Sequence, residues 1–81
     1  QILRLTEFIV ENNSGAEVNV IVKDSYTYTS GESGERELIR LKVATGGRVE
    51  LTKLVGQRVY GSLIVNVDQQ PVNVTYGVEE I

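Results

Sequence analysis

The chain has 81 residues, enough for one small domain, and it contains no Cys and no His. Disulfides are therefore excluded, and the side chains that most often bind transition metals or form nucleophile–base pairs are missing. The formal net charge is −3, which argues against nucleic-acid binding because phosphate contacts require a basic surface. We expect no catalytic residues, no metal and no cofactor.

The first ten residues, QILRLTEFIV, predict a strand that is apolar on both faces, whereas a half-buried strand alternates. A β-bulge at Thr6 and Glu7 would turn both sets of apolar side chains toward one core. Alternatively, residues 1–10 form an exchanged N-terminal strand whose second face packs against a neighbouring subunit. Gln1 in place of an initiator Met would fit cleavage of a secretion signal.

Apolar residues continue to alternate with polar ones along the rest of the chain, which predicts further strands. The alternating runs cover residues 16–22, 26–29, 37–43, 48–52, 58–68 and 72–78. Residues 35–42 also favour a helix by composition, but the period of two continues through them, so a strand is predicted. Turn residues lie between the runs, the longest polar loop being 29–35. Residues 1–81 are thus predicted to form one all-β domain, a small antiparallel β-sandwich or jelly-roll-like fold of about seven strands.

Carboxylates and tyrosines are the only candidates for a ligand site. Asp24, Asp68 and the loop with Glu32 and Glu35 lack the spaced pattern of a calcium loop, so we expect solvated turn carboxylates. Tyr26 and Tyr28 share a face with the preceding valines, and we expect them in the core. The alternative is a carbohydrate site formed by these tyrosines and loop 29–35. The sequons at Asn12 and Asn73 are candidate glycosylation sites.

Several apolar residues break the alternation and fall on the outward side of their strands, which suggests a surface that needs covering. These residues are Ile21, Leu38, Leu54, Tyr60 and Ile64. The charge is also uneven: residues 36–58 carry six basic and two acidic side chains, whereas residues 59–81 carry three acidic side chains and no basic one. Complementary patches that meet between subunits would explain this distribution, and so would pairing within the chain.

The segment ENNSGAEVNV, followed by GGRVELTKL and VNVTY, resembles the jelly-roll subunits of some secreted prokaryotic filaments and spore appendages in composition and strand rhythm. The resemblance implies subunits that share a strand between neighbours. A small core without disulfides or a metal is also of the kind that oligomerisation stabilises.

The sequence therefore predicts a structural, self-assembling subunit of an extracellular or cell-surface filament, pilus or coat, a homopolymer joined by β-strand addition. The expected partner is the chain itself, without nucleic acid and without a membrane span. The expected subunit-interface residues are Leu3, Leu5, Phe8, Ile9, Ile21, Leu38, Tyr60 and Ile64. The alternative functions are a non-enzymatic β-sandwich binding module for carbohydrate or protein, and a virion decoration protein.

Overall fold

The computed structural model describes residues 2–81, so the prediction about Gln1 lies outside the described residues. Seven strands form two antiparallel sheets, and the predicted small β-sandwich is confirmed. The strands are β1 (Leu3–Asn12), β2 (Val18–Thr27), β3 (Ser33–Val43), β4 (Arg48–Glu50), β5 (Arg58–Val59), β6 (Ser62–Val67) and β7 (Val72–Glu80). A 3₁₀ helix, Thr52–Leu54, separates β4 from β5. The helix alternative for residues 35–42 is wrong, because these residues belong to β3.

Each sheet is built around one long central strand. In the first sheet, β1 pairs along its whole length with β7 on one side, and with β4 and β5 on the other. In the second sheet, β2 lies between β3 and β6. The two central strands are consecutive in the chain and are joined by a short turn, which places one above the other.

The connections give the sandwich two different flanks. A four-residue turn joins β3 to β4, and the Arg36 guanidinium of β3 donates a hydrogen bond to the Arg58 carbonyl of β5 at 2.8 Å. These three strands therefore lie on one side, the β3–β5 flank. The chain then crosses the end of β2 to reach β6, and a four-residue turn leads to β7, so that these two strands form the opposite β6–β7 flank.

The core fills the space between the two sheets. The inward positions of β2 alternate regularly and place three valines at 0% exposure, which is why the period of two could be read from the sequence. The 3₁₀ helix adds a leucine that sequence analysis placed on the outward side, because a strand period does not hold across a helical turn. The buried cluster comprises Leu5, Phe8, Val10, Val18, Val20, Val22, Val43, Leu51, Leu54 and Val59.

The first strand contains the bulge that sequence analysis offered as one interpretation of its two apolar faces. Along β7, Leu5 pairs with Val78 and Glu7 pairs with Gly77, so that Thr6 has no partner of its own. The extra residue changes the phase of the alternation, and the apolar residues on both sides of it point into the same core. In the structure, β1 pairs within its own chain along its whole length.

Several sequence-based boundaries differ from the structure, and two of these differences bear on the end of the sandwich near Tyr60. The predicted run 58–68 is broken at Tyr60 and Gly61, where the chain leaves one sheet for the other. A Cβ at Gly61 would collide with the carbonyl oxygen of Ser25, so only glycine fits this crossing. The predicted loop 29–35 is shorter, because β2 and β3 pair as far as Thr27 and Ser33.

Candidate functional site

Three of the four tyrosines of the chain lie at one end of the sandwich. The first sheet ends near Asp24, where β5 pairs with the start of β1, and the β2–β3 hairpin continues beyond this point. The inner face of this end of the hairpin is therefore not covered by the opposite sheet. Tyr26 and Tyr28 of β2, Arg36 of β3 and Tyr60 of the crossing line a cleft of about 280 Å³, which we call the tyrosine cleft.

Asp24 forms the buried base of this end of the sandwich. Its side chain is 0% exposed, although carboxylates are rarely buried without partners. The carboxylate accepts the backbone N–H of Tyr60 at 2.9 Å and that of Gly61 at 3.0 Å. It also accepts a hydrogen bond from the Arg36 guanidinium at 3.2 Å. The expectation of a solvated carboxylate at Asp24 is therefore wrong: this side chain fastens the crossing to β2.

Arg36 connects the base of the tyrosine cleft to its wall. Its Nη2 donates to Asp24 and to the Arg58 carbonyl, and the guanidinium carbon lies 5.2 Å from the centre of the Tyr60 ring. This is the distance of a cation–π contact, which holds the two side chains together. Within residues 2–81, Arg36 Nη1 makes no hydrogen bond, and the Arg36 side chain is 40% exposed. The Nη1 donor thus remains available to a ligand, whereas Nε is buried and has no hydrogen-bond partner within the same residues.

The two hairpin tyrosines form a corner rather than a flat surface. The ring centres of Tyr26 and Tyr28 lie 5.3 Å apart, with the ring planes at 86°. The Tyr26 ring lies across Gly34 of β3, where an added Cβ would come within 2.8 Å of the Tyr26 ring. The neighbouring Tyr28 phenol raises the pKa of Tyr26 above its usual range. The core role predicted for Tyr26 and Tyr28 is wrong, because Tyr26 is half-buried and Tyr28 is 53% exposed.

A second exposed feature lies on the β6–β7 flank. Val72 and Val74 of β7 pack against the core, but Tyr76 and Val78 on the same face are 56% and 41% exposed. The Tyr76 ring centre lies 6.4 Å from that of Phe8, so the tyrosine borders the core without being covered. Among the described residues, β7 pairs only with β1, which leaves its outer edge without a strand partner.

The predicted interface residues divide between the core and the surface. Leu5 and Phe8 are buried in the chain's own core, Ile9 is 8% exposed, and Leu3 and Leu38 pack against the core from its rim. On the outer face of the second sheet, Ile21 and Ile64 are half-buried, and Tyr60 lines the tyrosine cleft. The structure therefore does not bring these residues together into a single surface.

The two predicted glycosylation sites lie in different surroundings. Asn12 is fully buried, and its amide nitrogen donates hydrogen bonds to the carbonyls of Ala16, Val43 and Ala44 at 2.8, 3.0 and 3.2 Å. This side chain joins the β1–β2 turn to the end of β3, and the folded chain leaves no room for a glycan on it. Asn73 is exposed on β7.

The remaining carboxylates are solvated or paired on the surface. Asp68 accepts hydrogen bonds from the Asn19 side chain at 2.6 Å and from the Asn19 backbone at 2.8 Å, which lower the pKa of Asp68 below its usual range. Within residues 2–81, the acidic side chains form no group of three that could hold a metal ion. The same residues contain no helix of the length and apolar character that crossing a membrane requires.

Comparisons of the chain with protein-family models, with curated proteins and with solved structures found no match. The tyrosine cleft and the β7 edge therefore have to be interpreted from their own geometry. Sequence analysis expected Asp24 to be a solvated carboxylate and gave Arg36 no role, although the signal that Asp24 is buried was present. Its position continues the inward alternation of Val18, Val20 and Val22, which predicts a buried carboxylate in need of a partner.

Proposed function

We propose that this protein is a structural subunit that assembles with copies of itself by β-strand addition, as part of an extracellular filament or coat. The observation that supports this best is the free edge of β7. Within the described chain, nine residues of β7 have a strand partner on one side only. Unpaired backbone N–H and C=O groups along such an edge are a template for another strand.

Along residues 72–78, the β7 edge lacks the features that usually prevent strand addition. Soluble proteins protect their edges with charges, prolines, bulges or very short strands. Residues 72–78 contain no charged residue and no proline, and the bulge in this pair lies on β1. The exposed Tyr76 and Val78 add apolar side chains to the same edge. An added strand would continue the sheet and bury these two side chains, which favours association.

The β3 edge differs from the β7 edge in charge. It is eleven residues long and carries Glu35, Arg36, Glu37, Arg40 and Lys42. A charged edge disfavours a second copy of itself but accepts an edge of opposite charge. Within residues 2–81, Lys42 forms no ion pair. The β7 strand carries no basic side chain and ends in Glu79, which pairs with Arg4 of β1, and in Glu80, which forms no ion pair within residues 2–81. Glu80 on the β7 edge and Lys42 on the β3 edge are therefore complementary charges.

This complementarity favours contact between unlike flanks. The β7 edge of one copy would add to the β3 edge of the next, so that the first sheet of one subunit continues into the second sheet of its neighbour. A contact between two different surfaces leaves one free edge of each kind at the ends of the assembly. Repetition of such a contact generates an open filament rather than a closed dimer.

The composition supports a long-lived part outside the cell. The chain contains no Cys, Met, Trp or His, which are the side chains that oxidise most readily. Such a composition makes an assembled subunit resistant to oxidation, which matters when damaged subunits are not replaced.

Sedimentation velocity and negative-stain electron microscopy of the wild-type chain test the proposed function. We expect species heavier than the 9.0 kDa monomer that grow with concentration and appear elongated. Val78→Lys places a charge on the β7 edge and should give monomers. Thr45→Lys adds the same charge in the exposed β3–β4 turn and should assemble like the wild type. The proposal would be refuted if the wild-type chain stayed monomeric up to about 1 mM. At this concentration, any association with a free energy more favourable than about −4 kcal/mol is detected.

A further inference from the structure

We propose that the tyrosine cleft binds a neutral saccharide through its pyranose rings. The cleft is separate from the β7 edge, because it lies at the end of the β2–β3 hairpin. It holds three of the five aromatic side chains of the chain. Tyr28 and Tyr60 are 53% and 47% exposed, a high exposure for large rings that line one cleft.

The backbone fixes the positions of the rings in this cleft. Tyr60 lies in the crossing, where the buried Asp24 carboxylate accepts the backbone N–H of Tyr60 at 2.9 Å and that of Gly61 at 3.0 Å. Tyr26 is held over Gly34, since β2 and β3 pair at these two residues. The cleft is therefore largely formed before a ligand arrives, which lowers the entropic cost of binding.

The charges of the cleft favour an uncharged ligand. The Arg36 cation is balanced by the Asp24 carboxylate, with 3.2 Å between Nη2 and Oδ2. A free cation would be repelled by the guanidinium, which already occupies one face of the Tyr60 ring. A free anion would meet a guanidinium whose charge the buried Asp24 carboxylate already balances, which leaves little net attraction for a second anion.

The shape of the cleft suits a six-membered ring that carries hydroxyl groups. Tyr26 and Tyr28 form a corner of 86°, so one ring face can stack on the ligand while the phenol of the other reaches its rim. A pyranose has C–H groups on its faces and hydroxyls around its edge, which matches an apolar face beside phenol and guanidinium donors. The volume of about 280 Å³ is close to the lower limit for small-molecule pockets, sufficient for one or two sugar rings.

A proline-rich peptide is the other ligand that aromatic clefts of this size accept. Such peptides lie in grooves between rings that are arranged in a row. The perpendicular arrangement of Tyr26 and Tyr28 closes the cleft on one side instead, which favours a compact ring over an extended backbone.

The test is NMR on the labelled chain with maltotriose, cellotriose and chitotriose as probes. We expect saturation transfer to at least one of these trisaccharides, with amide shifts confined to residues 26–36 and 60–61. The same titration is repeated with Val78→Lys, a substitution outside the cleft that is designed to block assembly. Sugar binding that persists in this variant does not depend on assembly.

Variants locate the bound sugar. Tyr28→Ala and Tyr60→Ala should each weaken binding about tenfold, a loss of the size expected for one stacked ring. Gly34→Ala keeps every cleft side chain but displaces the Tyr26 ring, and should also weaken binding. Tyr76→Ala is the matched control, because it removes the fourth tyrosine, which is 56% exposed but lies outside the cleft.

Three results would overturn the saccharide site. The first is that none of the three trisaccharides gives saturation transfer at millimolar concentration. The second is that Tyr76→Ala weakens binding as much as Tyr28→Ala does. The third is that a decaproline peptide shifts the cleft amides while the sugars do not, which would assign the cleft to a proline-rich partner.

Discussion

Asp24 and Arg36 lie opposite each other in the β2–β3 pair, and 3.2 Å separates the Asp24 Oδ2 from the Arg36 Nη2. The carboxylate is fully buried, whereas the guanidinium reaches the surface. The same carboxylate holds two backbone N–H groups of the crossing between the sheets. One side chain thus joins β2, β3 and the crossing that precedes β6, and it also positions the wall of the tyrosine cleft.

Replacing Asp24 should therefore strongly destabilise the folded chain. Asp24→Ala leaves two buried N–H groups unpaired and removes the partner of Arg36, and we expect it to lower the free energy of unfolding by about 3–5 kcal/mol. The control is Glu37→Ala, which breaks the exposed pair with Arg40 and should cost at most about 1 kcal/mol. Urea denaturation followed by circular dichroism measures both changes. Equal effects of the two substitutions would show that the Asp24 contacts do not hold the crossing.

The crossing itself should not accept a side chain. In Gly61→Ala, the added Cβ collides with the backbone of Ser25, which cannot move without disrupting the pairing of β2 and β6. We expect a loss of at least about 2 kcal/mol of unfolding free energy, within the range for severe backbone effects. Gly15→Ala is the matched control, since no atom lies within 4 Å of the added Cβ. Its stability should be unchanged or raised by about 0.4–1 kcal/mol.

The bulge at Thr6 predicts that a deletion inside a strand is tolerated. Without Thr6, Leu5 and Glu7 become neighbours and still pair with Val78 and Gly77, because these two partners are consecutive in β7. We expect the free energy of unfolding to change by no more than about 1 kcal/mol.

Deletion of Glu11 is the control for the deletion of Thr6. Glu11 pairs in regular register with Arg48 and Asn73, so its removal turns either Val10 or Asn12 away from the core. We expect this chain to fold poorly or not at all, as judged by circular dichroism and amide dispersion in NMR spectra. A chain that tolerates both deletions equally well would contradict the assigned position of the bulge.

Asp68 provides a pH-dependent contribution to stability. The hydrogen bonds from Asn19 lower the pKa of Asp68 in the folded chain, so its ionised form favours folding. This contribution is present above the unfolded pKa of about 3.9 and is lost as the pH falls through the lower folded value. Carboxyl-carbon NMR titration should give a pKa for Asp68 below the usual range, and Asn19→Ala should bring it back. An ordinary pKa in the wild-type chain would show that this pair does not persist in solution.

Much of the fold could be predicted from the sequence because most strands alternate strictly. The alternating valines of β2 predict a buried face, and the turn residues indicate where most strands end. The two faces of β1 could not be resolved in the same way, since a bulge and a subunit contact produce the same apolar pattern. The strand pairing distinguishes the two explanations for the folded chain. Leu5 and Glu7 pair with consecutive residues of β7, which is the pattern of a bulge.

The tyrosine cleft was harder to predict, for a physical reason. Tyr26 and Tyr28 continue the inward alternation of the valines before them, which favours a core role. Their exposure arises because the opposite sheet ends near Asp24, and the relative length of two sheets is a tertiary property. Arg36 gave no signal either, because its importance depends on a carboxylate and a backbone crossing that are distant in sequence.

A mixing experiment with two blocked chains tests the proposed assembly most directly. One chain carries Val78→Lys and keeps a free β3 edge, whereas the other carries Arg40→Glu with Lys42→Glu and keeps a free β7 edge. Thermal melting first checks that both chains fold. If β7 adds to β3 of the next copy, each chain alone is a monomer of about 9.0 kDa, and an equimolar mixture sediments as a dimer. A mixture that remains monomeric, or a β3-blocked chain that dimerises by itself, would contradict this head-to-tail contact.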